Sequence, residues 1–213
     1  MKETLVYDDW LVANAETFWG EIARCDHVLQ IYDNDGVFLD TLTGFVQAAI
    51  KADENAVVVA TEAHLNALEA RLQAYGLDIE MLISHNRFIP LNVDDIVSEL
   101  MENGKINESV LANLRSSFVQ MPGYDQKKLR MFGELSPTLL AHGWKESALS
   151  LERLADQHNH ENPACIFCAY PKELLNRKTS SLTTNICHAH SKIISGSAKQ
   201  LTHVFYKPVL SMN

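Results

Sequence analysis

The sequence predicts an α/β fold: a mainly parallel sheet of five or more strands with helices on both faces. Short apolar runs alternate with amphipathic segments of helical period along most of the 213 residues. Strands separated by helices need crossovers and therefore lie parallel. The run Asn55–Ala60 holds Val57, Val58 and Val59 with no polar alternation, the pattern of a strand covered on both faces. With 46% hydrophobic and 21% charged residues, the chain has ordinary globular composition. At this length it should bury roughly 70% of its unfolded surface without a disulfide or metal.

The elements follow in order. Residues 9–24 space Trp10, Leu11, Phe18, Trp19 and Ile22 as an amphipathic helix, suited to capping the sheet or binding a partner. Asp26–Tyr32 is the first strand, and residues 37–52 place Phe38, Leu42, Phe45, Val46, Ala49 and Ile50 at helical spacing. After the strand Asn55–Ala60, Thr61 suits an N-cap for a helix over 62–75 that stops at Gly76. Residues 87–93 form a third strand, which Pro90 pushes toward a sheet edge or a strand end. Helices over 93–103 and 107–121, a strand over 128–132, a helix over 144–158 and a strand over 164–169 complete the alternation. Residues 180–194 read as helix and 202–210 as a last strand. No repeat or linker divides the chain, so residues 1–213 form one unit: an N-terminal helix (1–24), a core (25–195) and a C-terminal extension (196–213).

Composition narrows the function classes. A net charge of −9 argues against binding nucleic acid or an anionic membrane surface, which requires clustered Lys and Arg. Lys127, Lys128 and Arg130 are a local basic group, read as solvated charges beside a strand. The N-terminus lacks a basic region followed by an apolar run, and no window is apolar enough to span a bilayer. Of four cysteines, three lie within residues 165–187, which is not a secreted disulfide framework. A reducing, cytoplasmic setting is expected.

In open α/β sheets ligands bind outside the carboxyl ends of the strands. Here those ends carry Tyr32, Asp33, Asn34, Asp35 and Gly36, then Thr61 to His64, then Gly133 and Glu134, then Tyr170 and Pro171. A ligand site is expected from Tyr32, Asp33, Asp35, His64, Gly133, Glu134 and Tyr170, converging in one cleft. Its aromatic rings and few carboxylates suit a small organic molecule better than a polyphosphate. The first turn has one glycine, no lysine before Lys51 and two carboxylates, so no phosphate cradle forms and ATP is not expected to bind. The same turn fails as a calcium loop, because Ile31 and Leu42 would fall at ligand positions. Asp33 and Asp35 also suit helix N-capping, and Glu134 a first-turn acid. Cys165, Cys168, Cys187 and His190 have the spacing C-x2-C-x18-C-x2-H of a zinc site. However, Cys165 and Cys168 would point to opposite faces of a strand, so no metal is expected. A small core residue or a redox pair, such as Cys168 with Cys187, are other readings of these thiols.

Several stretches together resemble the MEDS sensory domain, named from methanogens, methylotrophs and a dichloromethane-responsive regulator. They are Asp26–Tyr32 with its acidic turn, Val57–His64, Arg130–Leu135, Ala148–Glu152, Cys168–Pro171 and Ile186–Ser191, in family order. The resemblance implies a RecA/KaiC-type fold without a working phosphate loop, sensing hydrocarbon derivatives or other small signals, often beside DNA-binding or kinase modules. Two aromatic positions depart from it: Leu139-Leu140-Ala141-His142-Gly143 lacks a Trp before its glycine, and Arg153-Leu154-Ala155 follows Glu152 where another Trp is usual. If those rings line a pocket, this chain's ligand differs or is absent. The leading expectation is a small-molecule sensor acting through a regulatory partner in trans or as a homo-oligomer. The alternatives are an enzyme using Glu134 with His27 or His64 as acid–base groups, and a non-catalytic scaffold.

Overall fold

A computed structural model describes residues 10–120, 129–161, 164–175, 180–196 and 203–209. Its strands are β1 (Leu11–Asn14), β2 (His27–Tyr32), β3 (Asn55–Ala60), β4 (Phe88–Asn92), β5 (Met101–Glu102), β6 (Lys105–Ile106), β7 (Leu129–Gly133), β8 (Cys165–Pro171), β9 (Lys192–Gly196) and β10 (His203–Pro208). The helices are α1 (Ala15–Thr17), α2 (Asp35–Lys51), α3 (Glu62–Ala74), α4 (Ile79–Ser84), α5 (Val93–Leu100), α6 (Glu108–Val119), α7 (Leu135–Ala141), α8 (Lys145–Glu161) and α9 (Ser180–His188).

Among the described residues, eight strands form one sheet in the order β1-β10-β9-β2-β8-β7-β3-β4. The six from β9 to β4 run parallel, and β10 and β1 add antiparallel to one edge. The fold is therefore the α/β class expected, with more strands than the minimum of five. All six residues of β3 are buried, because side chains alternate between two covered faces. Ala56, Val58 and Ala60 join the core under α2, α3 and α4, while Val57 and Val59 join the core under α5 to α9. Thr61 caps α3 by accepting from the backbone N–H of His64. β4, with Pro90, is an edge strand, where a residue without an N–H is tolerated.

Four segments differ from expectation. Residues 11–24 are not one helix. Leu11–Asn14 pairs with β10, and Phe18–Ile22 forms a single π-helical turn, with Ala23 N–H donating to Phe18 O at 2.8 Å. That turn buries Phe18 and Trp19 completely, so the apolar spacing reported real core residues on a much shorter element. The helix over 93–103 stops at Leu100, and β5 and β6 form a hairpin around Asn103 (φ 51°) and Gly104 (φ 75°). Two central residues with positive φ make the tight turn that matches strand twist, and Asn-Gly is its sequence signature. Residues 192–196 are strand β9, not the end of a helix. Finally, Arg130 is 1% exposed and ion-paired with Glu54, so it is no surface charge; Lys127 and Lys128 lie outside the described residues.

Candidate functional site

Because β2, β3, β7 and β8 are parallel, their carboxyl ends share one edge. At the end of β2 the cap of α2 is Asn34, whose side chain accepts from the N–H groups of Gly36 (2.7 Å) and Val37 (3.4 Å). A Cβ on Gly36 would lie 2.8 Å from that oxygen, which explains the glycine. Asp33 is exposed and pairs with Lys172 at 3.0 Å, while Asp35 sits exposed in the first turn of α2. Neither carboxylate is the cap.

Behind this turn a buried group assembles. Tyr32 stacks on Phe38 at 4.7 Å between ring centres, and Phe38 meets the ring of His64 edge-on at 5.0 Å. His64 Nδ1 lies 2.6 Å from Glu134 Oε1, and Thr61 N–H donates to Glu134 Oε2 at 2.9 Å. Glu134 stands at the head of α7 but makes no side-chain cap there. Its carboxylate, 5% exposed, reaches instead to the turn between β3 and α3. The space where a Gly133 side chain would project is open. Burial raises the Tyr32 phenol pKa, and the charges of Glu134, Asp35 and Glu173 add to the effect. Burial lowers the His64 pKa, but its hydrogen bond and attraction to Glu134, with Asp35, outweigh that and leave it raised. Tyr32, Asp35, His64, Gly133 and Glu134 thus gather at one edge, with Asp33 on its rim.

Tyr170 does not join them. It is fully buried under the opposite face, where its hydroxyl donates to Glu152. The two-residue period of β8 is the reason: Phe167 and Ala169 face α2, whereas Cys168 and Tyr170 face α8. The same alternation separates Cys165 from Cys168, and burial holds the Cys165 thiol up to about 12. The quartet of Cys165, Cys168, Cys187 and His190 that has zinc-site spacing is therefore not assembled.

Two of its members nevertheless meet two residues that the spacing did not single out as ligands. His27, Glu152, Cys168 and His190 are all buried, and their ligand atoms lie within 4.8 Å of one another. His27 Nε2 is 3.4 Å from Cys168 Sγ and 3.7 Å from Glu152 Oε2, and His190 Nε2 is 3.4 Å from Glu152 Oε2. The imidazoles lie 3.9 Å apart between ring centres. Burial lowers the His27 pKa well below its usual value, aided by His190, and burial with Glu152 raises the Cys168 thiol. His27 sits at the start of its strand on the face opposite the His64–Glu134 group, so it cannot serve as Glu134's acid–base partner. The available signal for this cluster was Glu152, an acid in the apolar stripe that Ala148 and Leu151 bury.

Residues 26–191 match the family described as MEDS, the methanogen/methylotroph, DcmR sensory domain, well over half of the chain. The chain belongs to the MEDS family. Among solved structures, the PH0250 protein of Pyrococcus horikoshii OT3 is similar in fold, with a TM-score of 0.51 and 11% identity over 87% of this chain and 88% of that one. A search of curated proteins found no match. In this MEDS domain Trp144 follows Gly143, stacked on His142 at 4.9 Å and packed against the α8-side core. Arg153, which follows the buried Glu152, is exposed. Among the described residues no helix is long and apolar enough to cross a membrane.

Proposed function

We propose that this MEDS domain senses a small organic ligand at the carboxyl edge of its sheet and passes the bound state to a regulatory partner in trans. Membership of a sensory family supports signalling. The observation that supports this particular site is the buried Glu134 carboxylate, held by Thr61 N–H and by His64 beside the Tyr32 ring. His64 is the access point, since its side chain is 18% exposed against 6% for Glu134. A ligand carrying a hydroxyl or amine can exchange with the imidazole for the carboxylate. The parallel core with two antiparallel strands on the β9 side supports the RecA-like reading, and the Asn34-capped turn supports its lack of a phosphate loop.

The test is a thermal-shift screen of small alcohols, amines and halogenated hydrocarbons. A ligand at a hundredfold excess over its Kd adds about 2.7 kcal/mol, or about 5–10 °C for a chain of this size. Glu134→Gln and His64→Ala should abolish the shift while remaining folded. A shift that survives both changes removes the site. The 2.6 Å His64–Glu134 contact also favours a second reading, an acid–base enzyme, which substrate turnover with a hit compound would distinguish from sensing.

A further inference from the structure

We propose that His27, Glu152, Cys168 and His190 are the ligands of a single tetrahedral, zinc-type divalent cation buried between the sheet and α8. The site is separate from the proposed sensing edge and lies under the opposite face of the sheet.

The geometry suits a metal closely. Zinc bonds of about 2.0–2.3 Å at tetrahedral angles put neighbouring ligand atoms roughly 3.3–3.6 Å apart. Three of the six separations are 3.4, 3.7 and 3.4 Å, and all six lie within 4.8 Å, so a small contraction closes the shell. Both imidazoles are oriented for coordination through Nε2. His27 Nδ1–H donates to Ala189 O at 2.8 Å, and His190 Nδ1–H donates to Ile186 O at 2.7 Å. These bonds fix the tautomer and turn both Nε2 lone pairs inward, the outer-sphere arrangement typical of metal-bound histidine. Glu152 is oriented in the same way, because the Tyr170 hydroxyl occupies its other oxygen.

Among the described residues, two of the inward atoms, Glu152 Oε2 and His190 Nε2, are buried without a hydrogen bond. Leaving buried acceptors facing one another is costly, and a cation removes the cost at once. Charge also balances: two positive charges meet one carboxylate and one thiolate, with both imidazoles neutral. On binding, the metal–sulfur bond forms as the Cys168 thiol releases its proton to solvent. Nitrogen, sulfur and oxygen donors in a tetrahedron suit zinc above magnesium or calcium, which require oxygen. Since the chain supplies all four ligands, the ion ties β2, β8, α8 and the residues after α9 together without an open position for substrate.

Untagged protein purified under reducing conditions should carry one zinc per chain by elemental analysis. After removal of zinc, cobalt(II) should bind one per chain with the visible bands of tetrahedral coordination and a sulfur-to-cobalt charge-transfer band. Cys168→Ser should lose the charge-transfer band, whereas Cys165→Ser and Cys187→Ser should retain it. Tyr170→Phe keeps every ligand and should weaken affinity about 10–100-fold. Folded wild-type chain that neither carries metal nor binds zinc or cobalt stoichiometrically would overturn the proposal, however the variants behave. So would a charge-transfer band that persists in Cys168→Ser. Neither result depends on the ligand response at Glu134.

Discussion

A histidine hydrogen-bonded to a buried acid changes charge in a narrow range, and His64 is such a residue. Folded, it keeps its proton to a higher pH than the unfolded chain does. Its contact with Glu134 therefore stabilises fully below the ordinary imidazole range, and that stabilisation is lost as pH rises through the raised folded value. The stability difference between wild type and His64→Asn should shrink from about pH 6 to about pH 8, read from denaturant midpoints. A difference that is flat or grows over that interval contradicts the coupling. Arg130 shows how misleading sequence neighbours can be at this scale. Beside two lysines it resembles a surface charge, yet it donates to Glu54 and to Trp19 O from within the core.

At the scale of elements, the clearest signals were those whose cause is local. Thr61 caps α3 and the unalternating valines make β3, because capping and double burial leave their mark on consecutive residues. The hairpin of β5 and β6 was equally local, and the Asn103-Gly104 pair announced it, but the helical pattern on either side masked it. Gly104→Ala should cost roughly 1–2 kcal/mol in unfolding free energy, from the left-handed backbone alone. A Cβ there would also meet the Trp144 ring at 3.3 Å. β1 and β9 were not legible, because their pairing partners are remote in sequence: Leu11 pairs with Tyr206, and Val28 pairs with Lys192. In the candidate site the gathering of Tyr32, His64 and Glu134 follows from strand ends alone. The removal of Tyr170 follows from counting in twos along β8, and the buried cluster required contacts among four elements that no spacing rule links.

The whole molecule places two distinct buried polar clusters, His64 with Glu134 and His27 with Glu152, Cys168 and His190, on two faces of one sheet. On the α2 side, the first turn presents Asp33 and Asp35 with a single glycine and no lysine. Calorimetry with ATP and magnesium should accordingly detect no binding in the micromolar range, and tight binding would require a phosphate site elsewhere. At the far edge, β1 and β10 run antiparallel, with Leu11 opposite Tyr206 and Asn14 opposite His203. The chain therefore enters the first strand and leaves the last at the same end of a shared ladder. Tension applied to those two ends pulls across the ladder, so its hydrogen bonds are loaded one after another and not together in shear. Pulled from those ends, the edge pair should open as a zipper, with β1 peeling from β10 one pair after another from Leu11 toward Asn14.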